Sequence, residues 1–261
     1  MPRSTESLLD RKWSLVAFDL DDTLAPSKSS LPPEMAVALK ELLDVVPVAV
    51  ISGGAFEQFE MQLLGGLGGA GDVLDALHLM PTCGTQYLRH EGGELVEVYA
   101  KTLTDDERGR AIEALTSQAK KLGLWEEHTW GDAIEDRGSQ ITFSALGQRA
   151  PLEAKRAWDP TGEKKARLAT EVQERLGDLE VRSGGSTSVD ITAAGVDKAY
   201  GMSALVQETG IPKDEMLFIG DRLDEGGNDY AVKAAGFATY PVAGWEETVQ
   251  AIQRLVRAAN G

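Results

Sequence analysis

Three short apolar runs, each stopping at a polar signature, constrain this chain more than any other feature. WSLVAF (Trp13–Phe18) runs into Asp19-Leu20-Asp21-Asp22-Thr23, VPVAVI (Val46–Ile51) into Ser52-Gly53-Gly54, and MLFIG (Met216–Gly220) into Asp221. Continuous apolar runs of this length suit strands buried on both faces of a parallel sheet. Helical patterns lie between them. Pro32 and Pro33 open EMAVALKELL (Glu34–Leu43), AFEQFEMQLL follows the Ser-Gly-Gly, and ALHLM (Ala76–Met80) is a further strand. This alternation predicts an α/β fold with a doubly wound, Rossmann-like parallel sheet. In such sheets ligands gather beyond the carboxyl ends of the strands, so the three signatures should converge.

The middle of the chain has a different rhythm. QYLRH and ELVEVY flank Glu91-Gly92-Gly93 as a β-hairpin, and an amphipathic helix covers roughly Thr104–Leu122. Paired strands are predicted around Gly138, a helix near Glu163–Leu176, and strands at LEVRS and TSVDIT. The α/β pattern then resumes with a helix stopped by Gly210, strand MLFIG, strand FATYPV and a terminal helix. The sequence therefore reads as a core of residues 1–86 and 192–261 split by an inserted α+β cap, 87–191. The chain would cross between them near Leu79–Tyr87 and Ile191–Val196, where Pro81, Gly84 and Gly195 are candidate hinge residues.

Composition narrows the function. The 261 residues carry a net charge of −16, which argues against nucleic acid or an anionic membrane as partner. Cys83 is the single cysteine, so neither an internal disulfide nor a thiolate metal cluster can form. No apolar run approaches the ~20 residues of a membrane span, and the N-terminus lacks a signal-peptide core, so a cytoplasmic protein is expected.

Asp19 and Asp21 alternate around Leu20, and an extended backbone points both to one side. Two carboxylates that close repel and invite a hard cation such as Mg²⁺, which suits phosphate chemistry. A carboxylate can also act as nucleophile while its neighbour handles protons. Ser52 with the Gly53 and Gly54 amides could hydrogen-bond a phosphoryl group where a helix starts. Lys198, opening a later helix, could neutralise phosphate charge. Asp221 is the best further metal ligand, Asp229 a direct or water-mediated one, and Asp224 and Glu225 read as solvated.

Taken together, DLDDT, Ser52, Lys198 and GD…GGND resemble the haloacid dehalogenase superfamily over about residues 13 to 240. The resemblance implies an Asp19 nucleophile, an Asp21 acid/base, and Mg²⁺ on Asp19, Asp221 and the Asp21 carbonyl. The position and character of the cap resemble the superfamily's type IIB subgroup, which has a Cof-like cap and holds sugar phosphatases and eukaryotic-type phosphomannomutases. DLDDTLAPSKS, SGGAFEQFEMQL, IEDRGSQITFSALGQRAPLEAKR and SGGSTSVDIT are more similar to the phosphomannomutases. On that match Lys28, Arg137, Arg149, Arg156 and Ser188 are phosphate-binding, and Asp190 binds the sugar. Asp22 stands where that family has glycine, Lys28 for its arginine, Cys83 for its asparagine, and Gln148 is one residue extra. Independently of the resemblance, the stretch Arg137–Arg167 holds seven basic and three acidic residues, a local +4 in an acidic chain.

What the resemblance implies is phosphoryl transfer on a hexose phosphate, with hexose 1,6-bisphosphate as activator if the chain is a mutase. A sugar-phosphate phosphatase and a non-catalytic sugar-phosphate binder are the alternatives. The sequence leaves monomer and homodimer both open. GLGGAG (Gly66–Gly71) follows a helix instead of a strand, which argues against a dinucleotide site, and His78 and His90 lack metal-ligand spacing.

Overall fold

A computed structural model describes residues 5–68 and 71–261, so part of Gly66–Gly71 lies outside the described residues. In chain order the elements are β1 (Leu15–Phe18), α1 (Pro33–Leu43), β2 (Val48–Ile51), α2 (56–67), β3 (Leu77–Met80), β4 (Gln86–Glu91) and β5 (Glu94–Ala100). There follow α3 (Asp105–Lys121), β6 (Ile134–Asp136), β7 (Gln140–Ser144), α4 (Leu152–Trp158), α5 (Glu163–Gln173), β8 (Leu179–Ser183) and β9 (Ser188–Ala193). The last are α6 (Lys198–Thr209), β10 (Met216–Gly220), α7 (Tyr230–Ala234), β11 (Ala238–Pro241) and α8 (Trp245–Asn260). They form two compact units, residues 1–100 with 197–261, and residues 101–196.

The first unit holds a seven-stranded sheet in the order β11-β10-β1-β2-β3-β4-β5. The first five of these run parallel; β4 and β5 are antiparallel. Strand alternation divides the apolar residues between two faces. Val16, Phe18, Val48, Val50, Leu217 and Ile219 pack with α1, α2 and α8. Leu15, Ala17, Ala49, Ile51, Met216 and Phe218 pack with α6 and α7. This burial on both faces is why the strands read as unbroken apolar runs. Local signals set the helix ends: Pro33 occupies the first turn of α1, Asp197 accepts from the Tyr200 amide to cap α6, and Gly210 ends α6 at φ 71°.

The hairpin of β4 and β5 corrects the sequence boundary. Assigned to the inserted segment, it belongs to the large sheet, with His78 opposite Arg89 and Leu79 opposite Leu88. The cause is the turn between β3 and β4. Thr82, Cys83 and Gly84 all have positive φ (46°, 57° and 84°), so the chain reverses at once and lays β4 against β3. A Cβ on Gly84 would sit 2.5 Å from Gly201 Cα, so this turn is packed in place and is not a crossing between units. The first crossing falls instead after Ala100, and the second falls after Val196, at the end of the Ile191–Val196 stretch.

The second unit is an antiparallel sheet, β6-β7-β9-β8. Ile141, Phe143, Val189 and Ile191 form its apolar face against Ala111 and Leu115 of α3 and Leu168 and Val172 of α5. The opposite face is polar: Gln140, Thr142 and Ser144 stand across from Thr192, Asp190 and Ser188. Helix α3 starts as a capping box, with the Glu107 amide donating to Thr104 Oγ1 and the Thr104 amide donating to Glu107 Oε2.

His78 in the first sheet sits against Tyr87, their Nδ1 and OH 2.7 Å apart. Burial, with the positive charge of Arg89, pushes the imidazole down to about 4. The folded value lies below the unfolded one, so this contribution is complete above about pH 6.5 and is lost as pH falls towards 4. Between pH 7 and pH 5 the fold should lose about 2 kcal/mol through His78 alone. Urea unfolding at both pH values should show that much extra acid sensitivity in the wild type over His78→Gln. Equal sensitivity in both proteins would refute it.

Candidate active site

Strand β1 delivers Asp19 to the centre of the sheet's carboxyl edge, where its amide donates to Ile219 O at 3.0 Å. The residue is 3% exposed. Asp19 Oδ1 accepts from the Leu20 amide at 2.7 Å and lies 2.6 Å from Lys198 Nζ. Lys198, in the first turn of α6, is itself buried and reaches Asp229 Oδ1 at 2.5 Å. Asp229 is fully buried, and its Oδ2 accepts from the Arg222 amide at 3.0 Å. Asp221, directly after β10, is half-buried and takes a 3.4 Å hydrogen bond from Thr23 Oγ1. One carboxylate oxygen each from Asp19, Asp221 and Asp229 lies within 4.8 Å of the others.

The electrostatics follow from this crowding. Burial pushes the Asp19 carboxyl up to about 7, Lys198 opposes that shift and Asp229 adds to it. Asp221 is raised too, by burial and then by Asp229. Burial works against the Lys198 charge, but Asp19 and Asp229 outweigh it and raise its pKa. Three carboxylates against one ammonium leave negative charge in excess at a site made of hard oxygen donors. A divalent cation such as Mg²⁺ fits that donor set.

Asp21 does not join that cluster by its side chain. Its Oδ1 accepts from the Lys28 amide (2.8 Å) and Gln62 Nε2 (3.2 Å), and its Oδ2 from Gln58 Nε2 (2.9 Å). Its backbone carbonyl is what remains for a metal. The loop is shaped by Asp22 at φ 59°, whose amide donates to Ala25 O and whose Oδ1 accepts from the Ser27 amide. Aspartate tolerates this left-handed conformation, which explains how it can occupy a position where glycine was expected. Lys28 contributes through its amide, and its side chain is exposed.

The Ser52 loop is braced by the turn after β3. Ser52 O accepts from the Cys83 amide at 2.8 Å, and Gly54 O from the Thr82 amide at 2.9 Å. Ser52 Oγ accepts from the Gly54 amide at 3.1 Å, which leaves its O–H as a donor. A Cβ on Gly54 would sit 2.1 Å from Gln58 Oε1, so the Gln58 amide occupies the space beside this glycine. The half-buried Gly53 completes the loop.

In the second unit the expected residues are more dispersed. Ser188 and Asp190 share the polar face of β9, and Asp190 Oδ1 accepts from Thr142 Oγ1 at 2.7 Å. Arg137 is mostly buried and paired to Glu135 at 2.7 Å. Arg149 is exposed in a loop held by its amide to Trp130 O, and Arg156 is exposed on α4, a helix that the sequence pattern did not predict. Asp224 and Glu225 are exposed, as expected. Sequence reasoning missed Gln58, Gln62 and Thr23. The i,i+4 spacing of the two glutamines, directly after Ser-Gly-Gly, was the available signal.

A family model described as eukaryotic phosphomannomutase matches residues 35–258. The chain is 27% identical to a phosphomannomutase of Spinacia oleracea over 85% of this chain and 86% of that one. It is 26% identical to phosphomannomutase 1 of Homo sapiens, over 84% and 83%. Among solved structures, a haloacid dehalogenase-like hydrolase from Bacteroides thetaiotaomicron superposes with a TM-score of 0.65 at 17% identity, covering 94% of this chain and all of that one. A truncated IMP-nucleotidase of Plasmodium falciparum reaches 0.71 at 16% identity, covering 96% of this chain and 72% of that one. These structures share the α/β fold. Among the described residues, no helix is long and apolar enough to cross a membrane.

Lys198→Met should leave Asp19 and Asp229 buried without their cation. Losing one partner of a buried pair costs about 3–5 kcal/mol, and urea unfolding in the presence of a chelator should read that loss. A change below about 1 kcal/mol would mean that the pair does not hold these elements together.

Proposed function

We propose that this chain, which belongs to the eukaryotic phosphomannomutase family, is a Mg²⁺-dependent phosphotransferase that interconverts mannose 6-phosphate and mannose 1-phosphate. The observation that carries the reading is the buried Asp19 at the end of β1, tied through Lys198 to Asp229, with Asp221 in the same cluster. Asp19, Asp221 and Asp229, with the Asp21 carbonyl, are the groups assigned to Mg²⁺. When bound, the ion neutralises charge on the phosphoryl group being transferred.

Both the Leu20 amide and Lys198 engage Asp19 Oδ1, so Oδ2 is assigned as nucleophile. It attacks phosphorus, the bond from phosphorus to the sugar oxygen breaks, and Asp21 gives that oxygen a proton. An aspartyl phosphate results. In the mutase cycle the phosphoenzyme passes its phosphoryl group to the free hydroxyl of a hexose monophosphate, and Asp21 takes the hydroxyl proton. The bisphosphate then presents its other phosphate to Asp19, and the first step repeats. Ser52 and the Gly53 and Gly54 amides are assigned to the transferring phosphoryl oxygens.

A mutase needs a second phosphate site. Arg137, Arg149, Arg156 and Ser188 are proposed for it, with the Lys28 side chain as a further phosphate contact and Asp190 for a sugar hydroxyl. Arginine suits phosphate because its planar fork makes paired hydrogen bonds. Arg137 enters this set already paired to Glu135, so Arg149 and Arg156 are the cleaner probes.

Asp19→Asn is nearly isosteric and should abolish both phosphoenzyme and turnover with the fold intact. Activity above a few per cent would remove Asp19 as nucleophile. For the wild type, mannose 1-phosphate with Mg²⁺ and catalytic hexose 1,6-bisphosphate should give mannose 6-phosphate faster than inorganic phosphate, followed by phosphorus NMR. Inorganic phosphate alone would leave a sugar-phosphate phosphatase.

Arg149→Ala and Arg156→Ala should each cost about 2–5 kcal/mol in kcat/KM for a hexose phosphate, as when one partner of a desolvated charge pair is removed. Phosphoenzyme formation from acetyl phosphate, which has no second phosphate, should be spared. Equal losses on both donors would take these arginines out of the second phosphate site.

A further inference from the structure

Asp21 is gripped more completely than a solvent-facing carboxylate needs to be. Each oxygen receives at least one N–H, from Lys28 N, Gln62 Nε2 and Gln58 Nε2. Both glutamines lie on α2, whose residues 60–64 form a wider π-type turn, a feature that recurs at functional sites. Gln62 is 2% exposed and spends both amide hydrogens on the loop opposite, one on Asp21 Oδ1 and one on Ser29 O at 3.0 Å. Its own Oε1 is buried and accepts no hydrogen bond from the described residues. The backbone repeats the link, with the Leu31 amide donating to Gln62 O at 2.9 Å.

An unmatched buried carbonyl is a cost that packing alone does not explain. An apolar side chain of the same shape would fill the space without it. What the amide supplies is donors aimed at Asp21. The Gln58 amide lies beside Gly54, the last residue of the Ser52 loop, in space that a Cβ there would contest. One helix therefore starts just beyond the phosphate-loop glycines and carries both side-chain donors to Asp21.

We infer that Gln58 and Gln62 are positioning residues that fix the orientation of the Asp21 carboxyl for proton transfer, an inference that rests on the acid/base role proposed above. They act through Asp21 and not on the phosphoryl group. Their effect should therefore depend on how badly the departing oxygen needs a proton. A sugar hydroxyl leaves poorly without one; acetate leaves readily as the anion.

Gln58→Met and Gln62→Met keep the side-chain length and remove the donors. With a hexose 1-phosphate, each should lower kcat by about 10- to 100-fold, a part of the full worth of general acid–base catalysis, with KM within about threefold. Phosphoenzyme formation from acetyl phosphate, read by intact mass, should stay within about threefold of wild type in both variants. Thermal unfolding of each variant accompanies the kinetics, and a melting point close to wild type is expected.

Unchanged kcat on the hexose phosphate overturns the inference. So does an equal fall on both donors, which is what a collapsed loop would produce. If the wild type takes phosphate from acetyl phosphate but turns over no hexose phosphate, the functional reading fails. Phenyl phosphate then replaces the hexose ester as the poor leaving group, and the same split between donors decides the role of the glutamines. A wild type that forms no phosphoenzyme at all refutes both.

Discussion

One ammonium holds this site together. Lys198 Nζ lies 2.6 Å from Asp19 and 2.5 Å from Asp229, and all three side chains are buried. The residues come from the end of β1, the first turn of α6 and the loop after β10. Removed from water, two carboxylates that close repel strongly, and their coexistence depends on the lysine. The lysine satisfies the pair without neutralising the site, since Asp221 is added to the same cluster. Burial raises the Asp19 and Asp221 carboxyls, and Asp229 adds to both shifts. A hard cation is the addition that would relieve the excess negative charge.

The loops around this centre are fixed by the same economy of means. Thr82 and Cys83 sit in left-handed conformations that disfavour side chains, yet their amides supply the two hydrogen bonds that hold Ser52 and Gly54. The strained turn is thus the brace for the phosphate-loop candidate. It also turns the chain straight into β4, so one feature sets both the loop geometry and the order of the sheet. Preorganisation of this kind removes the need to order the loop when a ligand arrives.

Legibility followed physical type. Strands buried on both faces gave continuous apolar runs, and the acids at their ends could be placed from the residue pattern alone. The hairpin was legible as a hairpin, because Gly92 and Gly93 supply the two positive φ values of a tight turn. Its partner strand was not, since alternation says that a segment is a strand and nothing about what it pairs with. Pro81 and Gly84 looked like hinge residues because flexibility and a packed reversal draw on the same residue types. Helix α4 is short and strongly charged, and Pro151 before it was the only start signal. Gln58 and Gln62 belong to no charged motif, so only their spacing could have singled them out. Glu135 lies on β6 and Arg137 just beyond its end, a two-residue spacing that could have warned of their ion pair.

The two sheets differ in the chemistry of their polar surfaces. The parallel sheet gathers charge at its strand ends, where a few atoms are held by ionic contacts. The antiparallel sheet spreads hydroxyl, amide and charged groups over a face: Gln140 Nε2 donates to Thr142 Oγ1 at 2.9 Å, Thr142 Oγ1 to Asp190 Oδ1 at 2.7 Å, and Arg182 pairs with Glu180 beside them. A Cβ on Gly184 would lie 2.4 Å from Asp190 Oδ2, so that glycine makes room for the carboxylate. Buried hydroxyls and amides are tolerated only when they satisfy one another, and this chain of hydrogen bonds does so. A satisfied polar network is also a rigid one, and it holds Asp190 in a single orientation on its strand. Bond making and breaking needs strong fields at one point, whereas telling one sugar from another needs hydroxyl partners at fixed spacings. The charged edge has the field that bond making needs, and the hydrogen bonds around Asp190 give the other face polar groups at set spacings.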